Sequence, residues 1–268
     1  MATPAALTIA GSDSSGSAGI QADLKTFAAL GVYGASAITA LTAQNTRGVA
    51  GVHAVPADFI TAQIDAVFSD LDIGAVKIGM LAERAIIDAV ADGLKRWSPK
   101  HVVLDPVMVA TSGDRLLAAD AVEALRSQLI PLASILTPNL PEAAALLDAP
   151  VASHEDAIVE QGRRLLAYGC TAVLIKGGHG EGTESIDYLI DRQGTVALSA
   201  PRVATRNTHG TGCTYASAIA SFLAQGEPLR SAVEKAKEFI SAAIRLAHPL
   251  GKGHSPVNHF AAAQHLDR

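Results

Sequence analysis

The chain has 268 residues, of which 49% are hydrophobic and 18% charged, with a formal net charge of −5 and a pI near 6.0. That balance excludes a disordered chain and argues against a general nucleic-acid binder. Mean hydropathy is +0.27, much of it from alanine, and no stretch reaches the ~20 unbroken apolar residues of a membrane span.

In chain order, the apolar runs and amphipathic periods alternate. Residues 5–10 read as a strand, 20–30 as a helix ended by Gly31, and 33–41 as a second strand. Residues 59–71 are helical, with Phe59, Ile60, Ile64, Val67, Phe68 and Leu71 on one face. A short strand follows at 75–78, a helix at 85–97, and a strand at 101–104 that runs into Asp105-Pro106. Residues 121–129 read as a helix, 134–136 as a strand, and 141–147 and 155–168 as helices. Residues 172–175 form a strand that leads to Lys176. A hairpin around Gln193-Gly194 pairs 188–190 with 195–198, and the last two helices are 212–223 and 231–246. Strands alternating with helices of this length imply βαβ units and a mostly parallel sheet. No linker or repeat interrupts the pattern. The expectation is a single three-layer α/β/α domain over residues 1–268, with the hairpin as an antiparallel edge.

Two cysteines, Cys170 and Cys213, exclude a disulfide framework and favour a reducing compartment. Nine histidines show no HExxH or CxxC spacing, which points away from zinc. The first residues lack the basic and long apolar regions of a signal peptide. A cytoplasmic protein without membrane association is therefore expected.

In open parallel sheets, ligands bind beyond the carboxyl ends of the strands. The segments to search are 11–19, 42–48, 77–80, 105–113, 137–142, 176–180 and 207–213. The last holds Thr208, Gly210, Thr211, Gly212 and Cys213 ahead of a long helix. Its glycines let backbone N–H groups face an anion, and the helix start adds partial positive charge, as a transferring phosphoryl group requires. Cys213 in the first turn should have a lowered thiol pKa. The plainer alternative is a glycine-rich loop beside an inert cysteine.

Asp105 and Glu142 are hard oxygen donors suited to Mg²⁺. Alternatively, Asn139 caps the helix and Glu142 completes a capping box. Lys176, beside glycines, can neutralise phosphate oxygens or lie solvated in a turn. The loop at 11–19 matches neither GxGxxG nor a P-loop. Asp23 and Gln44 can together pair with an aminopyrimidine edge, although Asp23 alone reads as a surface helix residue. Met80 and Val107 can wall a flat ring or belong to the core.

Taken together, the stretches AGSDSSGSAGIQADLKTF, ITALTAQNT, KIGML, DPVMVATSG, TPNLPEA, LIKGGH, NTHGTGCT and GHSPVNH resemble the hydroxymethylpyrimidine/phosphomethylpyrimidine kinases of thiamine biosynthesis, within the ribokinase-like superfamily. The resemblance runs from about residue 7 to 259 in the family's order. Sugar kinases of the superfamily carry aspartate in place of Cys213, and Ser255 stands where this branch has glycine. The resemblance implies a ribokinase-like fold and a homodimer. It also implies ATP-dependent transfer to 4-amino-5-hydroxymethyl-2-methylpyrimidine and then to its monophosphate. On that analogy Gln44, Asp23 and Gly11 hold the pyrimidine, with Met80 and Val107 packing on it. Cys213 is the base, and 210–213 the anion hole. Asp105, Asn139 and Glu142 organise Mg²⁺, and Lys176 and Thr208 serve the phosphates. The resemblance does not name the adenine contacts; Lys237 in the last helices is one candidate, as any exposed lysine would be. The nearest rival is a pyridoxal or pyridoxine kinase, and a catalytically silent binder would have lost Asp105, Glu142, Lys176 or Cys213.

Overall fold

The computed structural model describes residues 3–108, 120–178 and 182–266. The expected loops 105–113 and 176–180 therefore lie partly outside the described residues. One nine-stranded sheet runs through the molecule. Its strands are β1 (Ala5–Asp13), β2 (Tyr33–Asn45), β3 (Gly48–Ala54), β4 (Ala75–Ile78), β5 (Val102–Leu104), β6 (Ile135–Leu136), β7 (Ala172–Ile175), β8 (Glu184–Asp191) and β9 (Gly194–Pro201). Their order is β3-β2-β1-β4-β5-β6-β7-β8-β9. The six strands from β2 to β7 are parallel. β3 pairs antiparallel to β2, and β8 and β9 form the antiparallel hairpin at the other edge.

Side-chain alternation in the parallel strands builds two cores. Leu7, Ile9, Val76, Ile78, Val102, Leu104, Leu136, Val173 and Ile175 face one way. There they meet α2 (Ala57–Phe68), α3 (Arg84–Trp97), α4 (Ala121–Ala124), α5 (Leu140–Leu147) and α6 (Glu155–Leu166). Ala6, Ala75, Val103, Ile135, Ala172 and Leu174 face α1 (Gly19–Ala29), α7 (Thr211–Ala224), α8 (Leu229–Arg245) and α9 (His259–Leu266). The small residues on this second face let α7 come close. A Cβ on Gly74 would lie 3.1 Å from Ala224 Cα.

The structure differs from the sequence expectation in four places. β2 continues to Asn45, so Gln44 lies on a strand and not in a loop. The reason is β3, an exposed edge strand that sequence pattern did not mark and that pairs with the extension. The stretch after Asp120 is one α-turn followed by a π-helical turn at Leu125–Leu129 and a 3₁₀ turn at Ile130–Leu132. α9 was not expected.

Candidate functional site

The carboxyl ends of β1, β4, β5, β6 and β7 open into a cavity of about 740 Å³. Gly11, Gln44, Met80, Val107, Asp105, Asn139, Glu142, Lys176, Thr208, Gly210, Thr211, Gly212, Cys213 and Lys237 all line it. Asp23 does not. Contrary to the expectation of substrate contact, and to that of a surface helix residue, it is fully buried behind the cavity floor. Lys77 Nζ donates to both of its oxygens at 2.9 Å. Thr8 Oγ1 donates at 2.6 Å and Ser217 Oγ at 2.7 Å. These four donor contacts leave the carboxylate no capacity for a ligand.

The start of α7 forms the anion-facing end of the cavity. Gly210 takes φ +77°, and no side chain caps the helix there. A Cβ on Gly210 would sit 1.9 Å from the Ser17 carbonyl oxygen, so only glycine fits. Thr211 Oγ1 donates to the Thr208 carbonyl at 2.7 Å and turns the chain into the helix.

Cys213 is half-buried on the same turn. Its thiol is not lowered as expected. Burial pushes it up to about 11, against the pull of the Lys77 ammonium and a hydrogen bond donated by Gly19 N–H. Desolvation outweighs the partial charge of a helix start, which is worth only about 0.3–1 kcal/mol at an exposed site. Burial also opposes the charge on Lys77, but Asp23, Cys213 and Asp105 prevail and raise its pKa.

Across from α7, Lys176 Nζ donates to Asp105 Oδ1 at 2.7 Å, and Thr137 Oγ1 donates to the same oxygen at 3.2 Å. Gly212 is the contact surface between these groups and α7. A Cβ there would lie 3.3 Å from Lys176 Nζ and 3.5 Å from Asp105 Oδ2. Burial works against the Lys176 ammonium, yet Asp105 and Glu142 hold its pKa above the ordinary value.

Glu142 takes the capping role. Asn139 Oδ1 accepts from Glu142 N–H, and Glu142 Oε2 accepts from Asn139 N–H, both at 2.8 Å, closing a capping box on α5. The same carboxyl lines the cavity, where burial pushes its pKa up to about 7, against Lys176 and reinforced by Asp105. Among the described residues no three His, Cys, Asp or Glu side chains cluster as metal ligands.

At the far end, Lys237 is drawn into the protein. Its Nζ donates to Asp187 Oδ2 at 2.7 Å and to the Ser185 carbonyl at 3.0 Å. Asp187 Oδ1 in turn accepts Gly177 N–H at 2.8 Å, which ties the strand end carrying Lys176 to α8.

Sequence reasoning missed Lys77, Asp13 and His209. Asp13 is buried, and its carboxylate accepts the Ser15, Ser17 and Ala18 N–H groups and so shapes the loop before α1. Burial opposes its ionisation, but the hydrogen bonds from His209, Ser15 and Ala18 bring its pKa down to about 2. Ser255 also proves to be more than a neutral replacement for glycine. Its hydroxyl bridges Leu250 N–H and the Leu250 carbonyl, and its own carbonyl accepts His209 N–H.

A family model described as phosphomethylpyrimidine kinase matches residues 13–258. The chain is 56% identical over 259 residues to the hydroxymethylpyrimidine/phosphomethylpyrimidine kinase of Escherichia coli strain K12, covering 96% of this chain and 97% of that protein. Among solved structures it is similar to an ADP complex of Bacillus subtilis pyridoxal kinase, with a TM-score of 0.91, 39% identity and coverage of 97% and 98% of the two chains. It is also similar to phosphomethylpyrimidine kinase from Clostridium difficile 630, with a TM-score of 0.80, 45% identity and coverage of 90% and 99%. The three-layer fold is the one these kinases share.

Proposed function

Because this chain belongs to the phosphomethylpyrimidine kinase family, we propose that its cavity transfers the γ-phosphoryl group of ATP to 4-amino-5-hydroxymethyl-2-methylpyrimidine and then to the resulting monophosphate. The observation that carries the reading is the meeting, in one cavity, of an uncapped helix start, the Lys176–Asp105 pair and the Gln44 amide. Phosphoryl transfer needs positioning and charge neutralisation more than covalent chemistry. The amides of 210–213 and the Lys176 ammonium supply the neutralisation, and Gln44, Met80, Val107 and Gly11 the ring pocket. Thr208 and Lys237 lie at the nucleotide end of this reading, with Lys237 acting through Asp187.

Asp105 and Glu142 fit a Mg²⁺ ion. Mg²⁺ takes one or two carboxylates and fills its remaining positions with water and phosphate oxygens. The repulsion between these two carboxyls, which helps keep Glu142 up, is what a divalent cation would relieve. When bound, such an ion neutralises charge on the β- and γ-phosphates.

In the first transfer the alcohol oxygen forms the new P–O bond, ADP leaves, and the hydroxyl proton passes to the thiolate form of Cys213, whose own proton has first gone to solvent. A thiol near 11 is rarely ionised at neutral pH but is a strong base once ionised. The second transfer starts from a phosphate oxygen whose second pKa is ~6, so it needs no base. Assaying Cys213→Ala with the alcohol and with the monophosphate tests this. The first activity should fall ~10²–10⁴-fold and the second far less. Equal losses would assign Cys213 to packing or to the anion hole.

The similarity to pyridoxal kinases supports a second reading, pyridoxal as main or side substrate. Gln44 favours the aminopyrimidine, whose adjacent ring nitrogen and amino group match an amide. Comparing both substrates at equal concentration separates the two readings. A cytoplasmic homodimer is part of the same proposal. No helix of the described residues is long and apolar enough to cross a membrane.

A further inference from the structure

Gln44 bridges two neighbours. One end of its amide lies 3.0 Å from His209 Nε2, and the other lies 3.2 Å from Thr42 Oγ1. As placed, the nitrogen faces His209 and the oxygen faces Thr42. Which end is which follows from the partners' own bonds, since amide oxygen and nitrogen are nearly the same size.

The Thr42 hydroxyl already donates its hydrogen to the Ser12 carbonyl at 2.9 Å. It has lone pairs left and no second hydrogen, so its natural partner is the amide N–H. His209 Nε2 also lies 3.4 Å from Asp13 Oδ2. Asp13 is an anion at any physiological pH. A bare nitrogen lone pair facing that carboxylate would be repelled, whereas an N–H is attracted. With the hydrogen on Nε2, the amide end beside it must be the oxygen. Turned this way, Thr42 accepts an amide N–H and Nε2–H lies between the Gln44 oxygen at 3.0 Å and Asp13 Oδ2 at 3.4 Å; Asp13 does not depend on that hydrogen, because its carboxylate already accepts the Ser15, Ser17 and Ala18 N–H groups and the Ser15 hydroxyl. In the opposite sense two acceptors compete for one Thr42 hydrogen, and the imidazole lone pair faces an anion.

We infer that Asp13 and His209 are positioning residues that fix the direction of the Gln44 amide and thereby the direction of the substrate ring. The inference rests on the reading of Gln44 as the group that holds the aminopyrimidine edge. After bonding Thr42 and His209, the amide keeps one N–H and one oxygen lone pair side by side. The N–H takes a ring nitrogen of the substrate, and the oxygen takes the adjacent amino group. On the substrate, the carbon bearing CH₂OH is next to the carbon bearing the amino group, on the side away from that ring nitrogen. The CH₂OH therefore lies beyond the amide oxygen, on the His209 side. His209 immediately precedes Gly210 and the amides of 210–213. An inverted amide would send the hydroxymethyl group toward Thr42, away from them. Asp13 reaches the site through His209, and His209 through Gln44; neither needs to touch the substrate.

The test is a binding cycle that needs no turnover. Calorimetry gives the dissociation constants of 4-amino-5-hydroxymethyl-2-methylpyrimidine and of the same compound without the 4-amino group, for wild type, Gln44→Met, His209→Met, His209→Gln and the Gln44→Met/His209→Met double variant. The ratio of the two constants reports the amino contact. His209→Met should lower that ratio about as much as Gln44→Met, roughly tenfold for one hydrogen bond lost. The double variant should lose no more than either single one. His209→Gln, which places an N–H where Nε2–H stood, should restore most of the ratio. If His209→Met does not fold, Thr42→Val removes the acceptor at the other end and should lower the same ratio. A wild-type ratio in His209→Met and in Thr42→Val, with a collapsed one in Gln44→Met, overturns the inference and spares the reading of Gln44. An unchanged ratio in Gln44→Met overturns both. Independent, additive losses in the double variant also overturn the inference, because they place His209 in a separate role.

Discussion

Replacing Lys77 with methionine removes one partner of the buried pair beneath the cavity. Both side chains are wholly shielded from solvent. Lys77→Met keeps the volume and most of the packing, so the loss comes from charge. Two N–H···O⁻ contacts at 2.9 Å disappear, and Asp23 retains only the hydroxyls of Thr8 and Ser217. Breaking a buried pair from one side costs about 3–5 kcal/mol, because it leaves an uncompensated charge. Against a total stability of about 5–15 kcal/mol, that is a large share. The double variant Lys77→Met/Asp23→Asn leaves no charge behind; the introduced carbonyl accepts from one of the two hydroxyls, and the other, which faced the second carboxylate oxygen, can rotate to accept from the new NH₂. It should recover at least half of the loss. Urea titrations followed by circular dichroism at neutral pH measure both, with equal slopes required for the comparison. A single variant within about 1 kcal/mol of wild type would refute the reasoning. So would a double variant as unstable as the single one, since the pair would then matter through shape and not through charge.

Two further outcomes follow from the site. Glu142 has a folded-state pKa of about 7 against an ordinary 4.5, so its contribution to stability is full below 4.5 and is lost as pH rises through 7, at no more than about 1.4 kcal/mol per pH unit. Glu142→Gln keeps the capping box and should flatten that part of the urea-midpoint profile, and parallel profiles for the two proteins would contradict the assignment. Gly210→Ala meets both a positive φ and the Ser17 carbonyl. It should cost roughly 10²-fold in turnover, as when an anion-hole donor is displaced, whereas Gly51→Ala, which meets nothing, should be neutral by the same assay.

The parallel strands β1, β4, β5, β6 and β7 were legible because each is a short, largely buried apolar run; β2 is only partly buried and was read short. Their carboxyl ends located the cavity before any side chain was placed. What escaped the sequence did so for physical reasons. β3 carries Gly48 and Gly51 and is largely exposed, so it has no apolar period to read. The polar run Thr42-Ala43-Gln44-Asn45 resembles a loop and is held extended by partners distant in sequence, β3 on one side and Ser12, Asp13 and Ser14 on the other. Asp23 looks like a surface residue because its partner is 54 positions away, yet Lys77 offered a signal. A lysine between Val76 and Ile78 in a central strand must find a buried anion. The direction of the Cys213 thiol was misjudged because sequence shows the helix start but not the depth of burial.

The cavity is stitched together by bonds that span most of the chain. Ser217 reaches Asp23 across 194 positions, and the Gln44–His209 contact spans 165. Both ends of the polypeptide must be in place before either bond can close, and non-local closures of this kind come at a high entropic cost early in folding. A cavity built this way cannot exist in a partly folded intermediate that lacks the α7 half. Any molecule that occupies it binds the complete fold alone and draws the folding equilibrium with it, by about 2.7 kcal/mol at a hundredfold excess over its dissociation constant. In a cell, the supply of substrate and nucleotide thus sets not only the rate of this kinase but also how much of it escapes proteolysis.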